Sequence, residues 1–521
     1  MGVGASLLSQ QLPIALTFAL SGVFLWTRQS WSLGRSLEKS EPSPWRIKKI
    51  ERKVTQAVNV PAPVTLVTQV SKTAEELMRL GVRYGDQGSI DKALVTFVES
   101  KAAFEGDGAC ETSCYAELLV QIAICYSMQG RKKEEMEKYQ EAQKVFQKAK
   151  CTGTRGYAGL LKNMGIWFME HDQMDEAMEK FQEAESRYVF ANAAGSSNYA
   201  GLLTSMGKWL LNAGSEVEAM VKFKEAKIIY EACQEDAPIA YAGLLMIVGN
   251  VHRSQQRFKD TLEFFDQAQT VFESAGATAT TDYLHLLYQI AAFHYEQGDL
   301  NVALKKYTHA QAAYEDAGCT ETEGHARLLQ GLSAVYTKLG WCEEAMAKMM
   351  EAQETFQAVG ATATTCYAAL LRSMGIWYAR SGDDIEAIQK YEDARVACEE
   401  AGATCSLLYA SVLSMLATGL AESGRFPEAM LAFKKAYDVH HQLGTKTTAY
   451  ARLCFNMALA KQAQLEFGVE IYNDATGKSV PASFLDAKEA FEAAGACNGP
   501  EYRELLMHLN AMDIDTRQTG S

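Results

Sequence analysis

Tyr157-Ala158-Gly159-Leu160-Leu161 opens a stretch, Tyr157 to Asn198, that the rest of the chain repeats with drift. The same shape returns as Tyr199-Ala200-Gly201-Leu202-Leu203, Tyr241-Ala242-Gly243-Leu244-Leu245, Tyr367-Ala368-Ala369-Leu370-Leu371 and Tyr409-Ala410-Ser411-Val412-Leu413. Weaker copies start at Thr73, Tyr115, Tyr283 and His325. Neighbouring starts lie 42 residues apart, and 41 at the last interval, to Tyr450. A fixed period of this size signals a solenoid, in which each unit buries its apolar face only against its neighbours.

With offsets counted from Tyr157 as zero, Leu161, Met164, Gly165 and Phe168 form one apolar stripe at the spacing of an amphipathic helix. His171-Asp172-Gln173 interrupts it. Sister units place a glycine there (Gly88, Gly130, Gly214, Gly298, Gly340, Gly382, Gly424), a residue that accepts the left-handed backbone of a helix stop at low cost. A second helix follows, with Ala177, Phe181, Ala184 and Tyr188 on one face. A further stop stands at offset 35 as Gly276, Gly318, Gly360, Gly402 and Gly444.

Leu161, Gly165, Phe168, Ala177, Phe181 and Ala184, with Gly207, Ala219, Phe223 and Ala226 and with Gly375, Tyr378, Ala387, Tyr391 and Ala394, stand at the signature spacing of the tetratricopeptide repeats (TPR), which this chain resembles from about residue 73 to 511. The usual repeat has about 34 residues and ends in proline. Here Val189 takes the proline position. An aromatic row one heptad further on (Phe104, Phe146, Tyr188, Tyr230, Phe272, Tyr314, Phe356) implies an extended second helix, as in the kinesin-light-chain subtype. The resemblance implies an all-α, right-handed superhelical solenoid of about ten TPR-like helix pairs plus a C-terminal capping helix.

The chain falls into five stretches on this reading. Residues 1–53 form a hydrophobic anchor or targeting segment, 54–72 a linker, and 73–449 nine repeats of 42 residues. Residues 450–511 hold a tenth repeat with an insertion at 468–483 and the capping helix Tyr502-Arg503-Glu504-Leu505-Leu506, and 512–521 a disordered tail. In the tenth repeat the second helix is expected from Phe484 to Ala494. Val469 and Ile471 in the insertion suit a short strand or a surface excursion.

The first 53 residues differ in kind. No acid precedes Glu38, and Leu12 to Trp26 is a nearly unbroken apolar run. Arg28, Arg35, Lys39, Arg46, Lys48, Lys49, Arg52 and Lys53 outnumber Glu38, Glu41 and Glu51, a net of +5 against −19 for the remainder. These features fit a signal anchor that leaves the repeats on the cytosolic side. They also fit a cleaved mitochondrial or plastid targeting segment, and least well a secretory signal. Met1-Gly2-Val3-Gly4-Ala5-Ser6 matches the N-myristoylation pattern with Gly2 as acceptor.

Composition excludes several classes. The 521 residues carry 64 acids against 50 lysines and arginines, a net charge of −14, which argues against a general nucleic-acid binder. Twelve cysteines include no CxxC pair, so they read as free thiols in a reducing space. No GxxxxGK[ST], HExxH, GxSxG or GxGxxG motif occurs, and neither an enzyme, a cofactor, a metal site nor a small-molecule substrate is expected. His440-His441 reads as a core substitute at the aromatic row. Trp167, Trp209 and Trp377, all at offset 10, read as packing against a neighbouring unit.

In tetratricopeptide arrays offsets 2, 5, 9, 12 and 13 of the first helices line the concave wall, and the resemblance carries this onto the chain. In the six central units these thirty positions hold Lys162, Lys208, Arg253, Arg327, Lys338, Arg372 and Arg380 against Glu170 and Glu296. At the chain's average composition three bases and four acids would stand there. Gly159, Gly201 and Gly243 leave part of the wall bare, and Tyr288, Tyr295, Met246 and Asn250 supply adaptable contacts. The pattern suits another protein's acidic or carboxylate-ended segment, or else records a surplus of solvated bases. It departs from the chaperone carboxylate clamp, because Ile166, Thr204 and Ser205 stand where that clamp needs other polar groups.

The expected function is therefore a non-catalytic, membrane-tethered scaffold or adaptor, in layout similar to mitochondrial outer-membrane import receptors. The alternatives are an assembly factor or structural subunit of an organellar membrane complex, and a cargo adaptor of the kinesin-light-chain kind.

Overall fold

The computed structural model describes residues 72–86, 89–233, 237–467 and 479–512. They form an all-α repeat solenoid of 21 helices, with no strand among the described residues. The chain divides into two compact units, whose described parts lie in Ser30–Ala277 and Thr278–Ser521.

The N-terminal unit holds five helix pairs: α1 (Lys72–Asp86) with α2 (Ile90–Gly106), α3 (Ser113–Met128) with α4 (Lys132–Lys148), α5 (Arg155–Glu170) with α6 (Met174–Phe190), α7 (Ser197–Asn212) with α8 (Glu216–Cys233), and α9 (Pro238–Ser254) with α10 (Phe258–Ser274). The C-terminal unit holds five more: α11 (Thr281–Gln297) with α12 (Leu300–Asp316), α13 (Glu323–Leu339) with α14 (Cys342–Ala358), α15 (Thr365–Ser381) with α16 (Asp384–Glu400), α17 (Leu407–Glu422) with α18 (Phe426–Gln442), and α19 (Thr448–Glu466) with α20 (Val480–Ala493). A last helix, α21 (Pro500–Ala511), packs on α20.

Eight of the ten first helices start the same way. Thr112, Thr154, Ser196, Thr280, Thr322, Thr364, Ser406 and Thr447 stand three residues before the repeat start, and each side-chain oxygen accepts from the backbone N–H at that start. This satisfies one of the four N–H groups that a helix leaves unpaired. At α9 no such residue is present, and Pro238, which has no N–H to satisfy, takes the first turn.

The stops follow the glycine reading, with an informative extension. Gly130, Gly214, Gly298, Gly340, Gly382 and Gly424 have φ between 71° and 85°. Where a unit lacks the glycine, the substitute adopts the same left-handed backbone: Asp172 (φ 58°) and Gln256 (60°) at the first stop, Lys150 (53°) and Asn192 (52°) at the second. The fold imposes the turn and the side chain bears the strain.

Inside a pair, the offset-8 glycines let the first helix sit against an aromatic ring of the second. A Cβ on Gly165 would stand 2.5 Å from Phe181, and one on Gly375 2.5 Å from Tyr391. Between pairs the offset-31 aromatic meets the ring that opens the next repeat. Phe104 meets Tyr115 at 6.0 Å between centroids, Phe146 meets Tyr157 at 5.6 Å, and Tyr188 meets Tyr199 at 5.8 Å, each edge-on. In the C-terminal unit Phe356–Tyr367 (5.7 Å) and Phe491–Tyr502 (6.0 Å) repeat the contact. His440 takes the aromatic place against Tyr450 at 5.5 Å, and Thr445 holds its Nδ1 at 2.8 Å. Edge-on aromatic pairs contribute about 0.5–1.5 kcal/mol beyond the area they bury.

The opening tyrosines also tie repeats through their hydroxyls, which donate to Glu105 from Tyr115 (3.0 Å), to Glu231 from Tyr241 (3.1 Å) and to Glu399 from Tyr409 (2.8 Å). The offset-10 tryptophans bridge neighbouring pairs. The indole N–H of Trp167 donates to the Lys132 carbonyl at 3.1 Å, Trp209 to Met174 at 2.8 Å, and Trp377 to Cys342 at 3.0 Å, each time at the first residue of the preceding second helix. No disulfide links any of the twelve cysteines.

The α20 helix begins at Val480, four residues before the expected Phe484, because Ser479 caps it and Pro481 sits in its first turn. The linker (54–71), most of the insertion (468–478) and the tail (513–521) lie outside the described residues. So do the anchor segment 1–53 and the acyl acceptor Gly2. The membrane-anchored placement of the repeats, with its mitochondrial or plastid alternative, is corrected here: no helix among the described residues is long and apolar enough to cross a membrane.

Candidate functional site

The first helices present two kinds of basic side chain. Lys208, Lys338 and Arg380 are exposed, whereas Lys162, Asn250, Arg253 and Arg327 are half-buried. Arg372 is only 6% exposed, and Tyr288 and Tyr295, expected as open contacts, are buried to 6% each. The structure brings together Tyr288 with Arg327, and Arg372 with a residue the sequence did not single out, Ser411.

The reason is a register between repeats: offset 5 of one first helix faces offset 2 of the next. In the N-terminal unit the Lys162 ammonium lies beside Gly201, 3.9 Å from where a Cβ there would stand, an ordinary van der Waals distance. Burial pushes the Lys162 amine below its ordinary pKa. In the C-terminal unit Tyr288 faces Arg327, with the guanidinium 5.7 Å from the ring centroid, and Arg372 donates from Nη1 to Ser411 Oγ at 3.3 Å.

Arg372 is the most unusual group of the set. Its Nε is sealed from solvent and has no hydrogen-bond partner. Its neighbours are the buried Tyr391 and Cys398, and no carboxylate compensates it. Burial pushes its pKa down and pushes the Cys398 thiol up to about 11. A guanidinium keeps its proton under any ordinary condition, so the charge is desolvated without a counter-ion, the costliest arrangement a polar group takes.

Second-helix cations behave differently. Lys138 pairs with Glu141 at 2.6 Å, Lys348 with Glu351 at 2.7 Å, and Arg395 with Glu392 at 2.9 Å and Glu399 at 2.8 Å. Among the described residues Lys162, Arg327, Lys338 and Arg372 have no acid at ion-pair distance.

Among the described residues no three His, Cys, Asp or Glu side chains gather into a metal-binding group. The titratable groups that burial perturbs are scattered along the helices. His252, His285, His325 and His440 are pushed down by burial, and Tyr188, Tyr230, Tyr295 and Tyr314 up to about 12.

No family model matches the sequence, and no curated protein matches it. Solved structures similar in form include aspartyl phosphate phosphatase F from Bacillus subtilis, at 15% identity and TM-score 0.42, over 79% of this chain and 99% of that one. The quorum sensor NprR from B. thuringiensis is similar at 15% identity and TM-score 0.40, over 68% and 97%. A kinesin light chain with nearly identical TPR-like repeats from Podosopora anserina is similar at 14% identity and TM-score 0.32, over 41% and 93%. By its own repeat signature and helix pairing, this chain is an all-α solenoid of TPR-like form.

Proposed function

We propose that the chain is a non-catalytic protein-interaction module that takes an acidic segment of a partner protein on its first-helix faces. Arg372 carries this reading: a guanidinium 6% exposed, with an unpartnered Nε and no carboxylate, in a face where Arg327 and Lys338 also lack acids. An ion pair internal to the fold would have been the cheaper use of an arginine there, since breaking up a buried pair leaves several kcal/mol of uncompensated charge. An incoming carboxylate restores the missing partner, and Arg327 and Lys338 steer it inward.

The test is fluorescence anisotropy with a short fluorescein-labelled peptide rich in glutamate and a lysine-rich counterpart of equal length. The expected result is binding of the acidic peptide alone, weakening as salt rises and weakened by Arg372→Gln in a protein whose circular dichroism is unchanged. Equal binding of both peptides, or no binding of the acidic one, overturns the proposal.

A further inference from the structure

One cluster in the C-terminal unit goes beyond a general basic face. His285 and Arg327 both occupy offset 2, on α11 and α13, and Tyr288 lies between them. The His285 ring is nearly parallel to that of Tyr288, at 20° and 6.1 Å, and the Arg327 guanidinium stands 5.7 Å from the same tyrosine. Tyr288 is itself fixed edge-on by the buried Tyr307 at 6.1 Å. Three flat groups are therefore held in place before any ligand arrives, and a cation over an aromatic face is favourable within about 6 Å.

Gln289 sets the histidine's role. Its amide nitrogen stands 2.7 Å from His285 Nε2. With that amide donating, Nε2 accepts and the ring proton sits on Nδ1, which leaves Nδ1 as the donor of the ring. Burial first, and then the charge of Arg327, hold the imidazole neutral. Arg327 has Glu323 one turn before it on its own helix, yet no ion pair forms. A neutral N–H donor and a guanidinium with no carboxylate thus share one aromatic support.

We infer that His285, Tyr288 and Arg327 form a subsite for a single carboxylate side chain of the acidic partner segment, with Arg327 supplying charge and His285 Nδ1 a second hydrogen bond. This rests on the proposed acidic-segment reading and adds a fixed anchoring point to it. Arginine suits the task because its planar fork matches a carboxylate and its charge persists at all working pH values.

The experiment uses the full chain and the same glutamate-rich peptide, in C-terminally amidated and free-acid forms. Arg327→Gln is expected to weaken the amidated peptide roughly tenfold, the scale of one charge-assisted hydrogen bond. Arg327→Lys should recover part of that loss. Lys348→Gln, on α14 and paired with Glu351, should change nothing. In parallel, the His285 ring resonances, assigned by their loss in His285→Gln, should shift when peptide is added to the unsubstituted protein. Undiminished binding by Arg327→Gln, with Arg372→Gln still impaired, overturns the subsite and leaves the broader reading standing. Binding of the free-acid peptide alone overturns the side-chain assignment in favour of a terminal carboxylate. Loss of binding by every form of the protein overturns both.

Discussion

Tyr188 is the sharpest place to test how the repeats hold one another. Its ring is fully buried, lies on α6, and meets Tyr199 at the start of α7 edge-on at 5.8 Å. Truncation to alanine removes a buried aromatic from between two pairs, which costs about 3–5 kcal/mol in well-packed cores. Roughly 1 kcal/mol of this belongs to the ring–ring contact. Tyr188→Phe keeps the ring, as Phe104, Phe146 and Phe356 do elsewhere in the row, and should cost less than about 1 kcal/mol. Urea unfolding gives the two differences directly. Amide hydrogen exchange adds where the loss falls, since contacts run only between neighbours: slow amides of α5, α6 and α7 should exchange faster in Tyr188→Ala. Indistinguishable costs for the two variants, or a loss under about 1 kcal/mol for alanine, would refute the account of the aromatic row as the joint between repeats.

Two further outcomes follow from the backbone and the buried histidines. Gln256→Gly and Lys150→Gly relieve left-handed strain of about 1–2 kcal/mol and give back part of it as unfolded-chain entropy. A net gain of roughly 0.5–1 kcal/mol is expected in thermal or urea unfolding, whereas Gly382→Ala at φ 83° should lose stability. As for pH, His252, His285, His325 and His440 are held below the ordinary histidine value of 6.5 by burial. The unfolded chain then binds more protons than the folded one as pH falls through that value. The part of stability that depends on these histidines therefore declines below about pH 6.5 and is level above it. Melting curves at neutral and mildly acidic pH check this, and His440→Phe should flatten part of the slope.

The repeat boundaries, the helix stops and the aromatic row were all legible because each depends on residues within one unit. Periodicity alone placed Leu161, Ala177 and Phe181 in the core, where they are fully buried. The N-cap residues were equally readable, since a serine or threonine stands three places before nearly every start. What the sequence hid was the fate of side chains at offsets 2 and 5. Whether Lys162 is half-buried or Arg372 sealed depends on what the next helix offers, a glycine at 201 or a serine at 411, some 39 residues away. Helical phase assigns such a residue to a face, but depth within that face is a property of two repeats together. The same reason turned Tyr288 from an expected contact into the support under Arg327.

The uniform joint between pairs also makes the array editable. Excising 157–198 from the N-terminal unit would bring Tyr199 to the ring of Phe146 in place of Tyr157, with Ser196 lost and Thr154 capping in its stead. The new seam carries the same ring contact and the same cap as the old one, so this block of 42 residues is a removable module. Lineages carrying such a chain can lengthen or shorten it by duplication and loss without redesigning an interface, and the charged positions on the first helices are then free to diverge block by block.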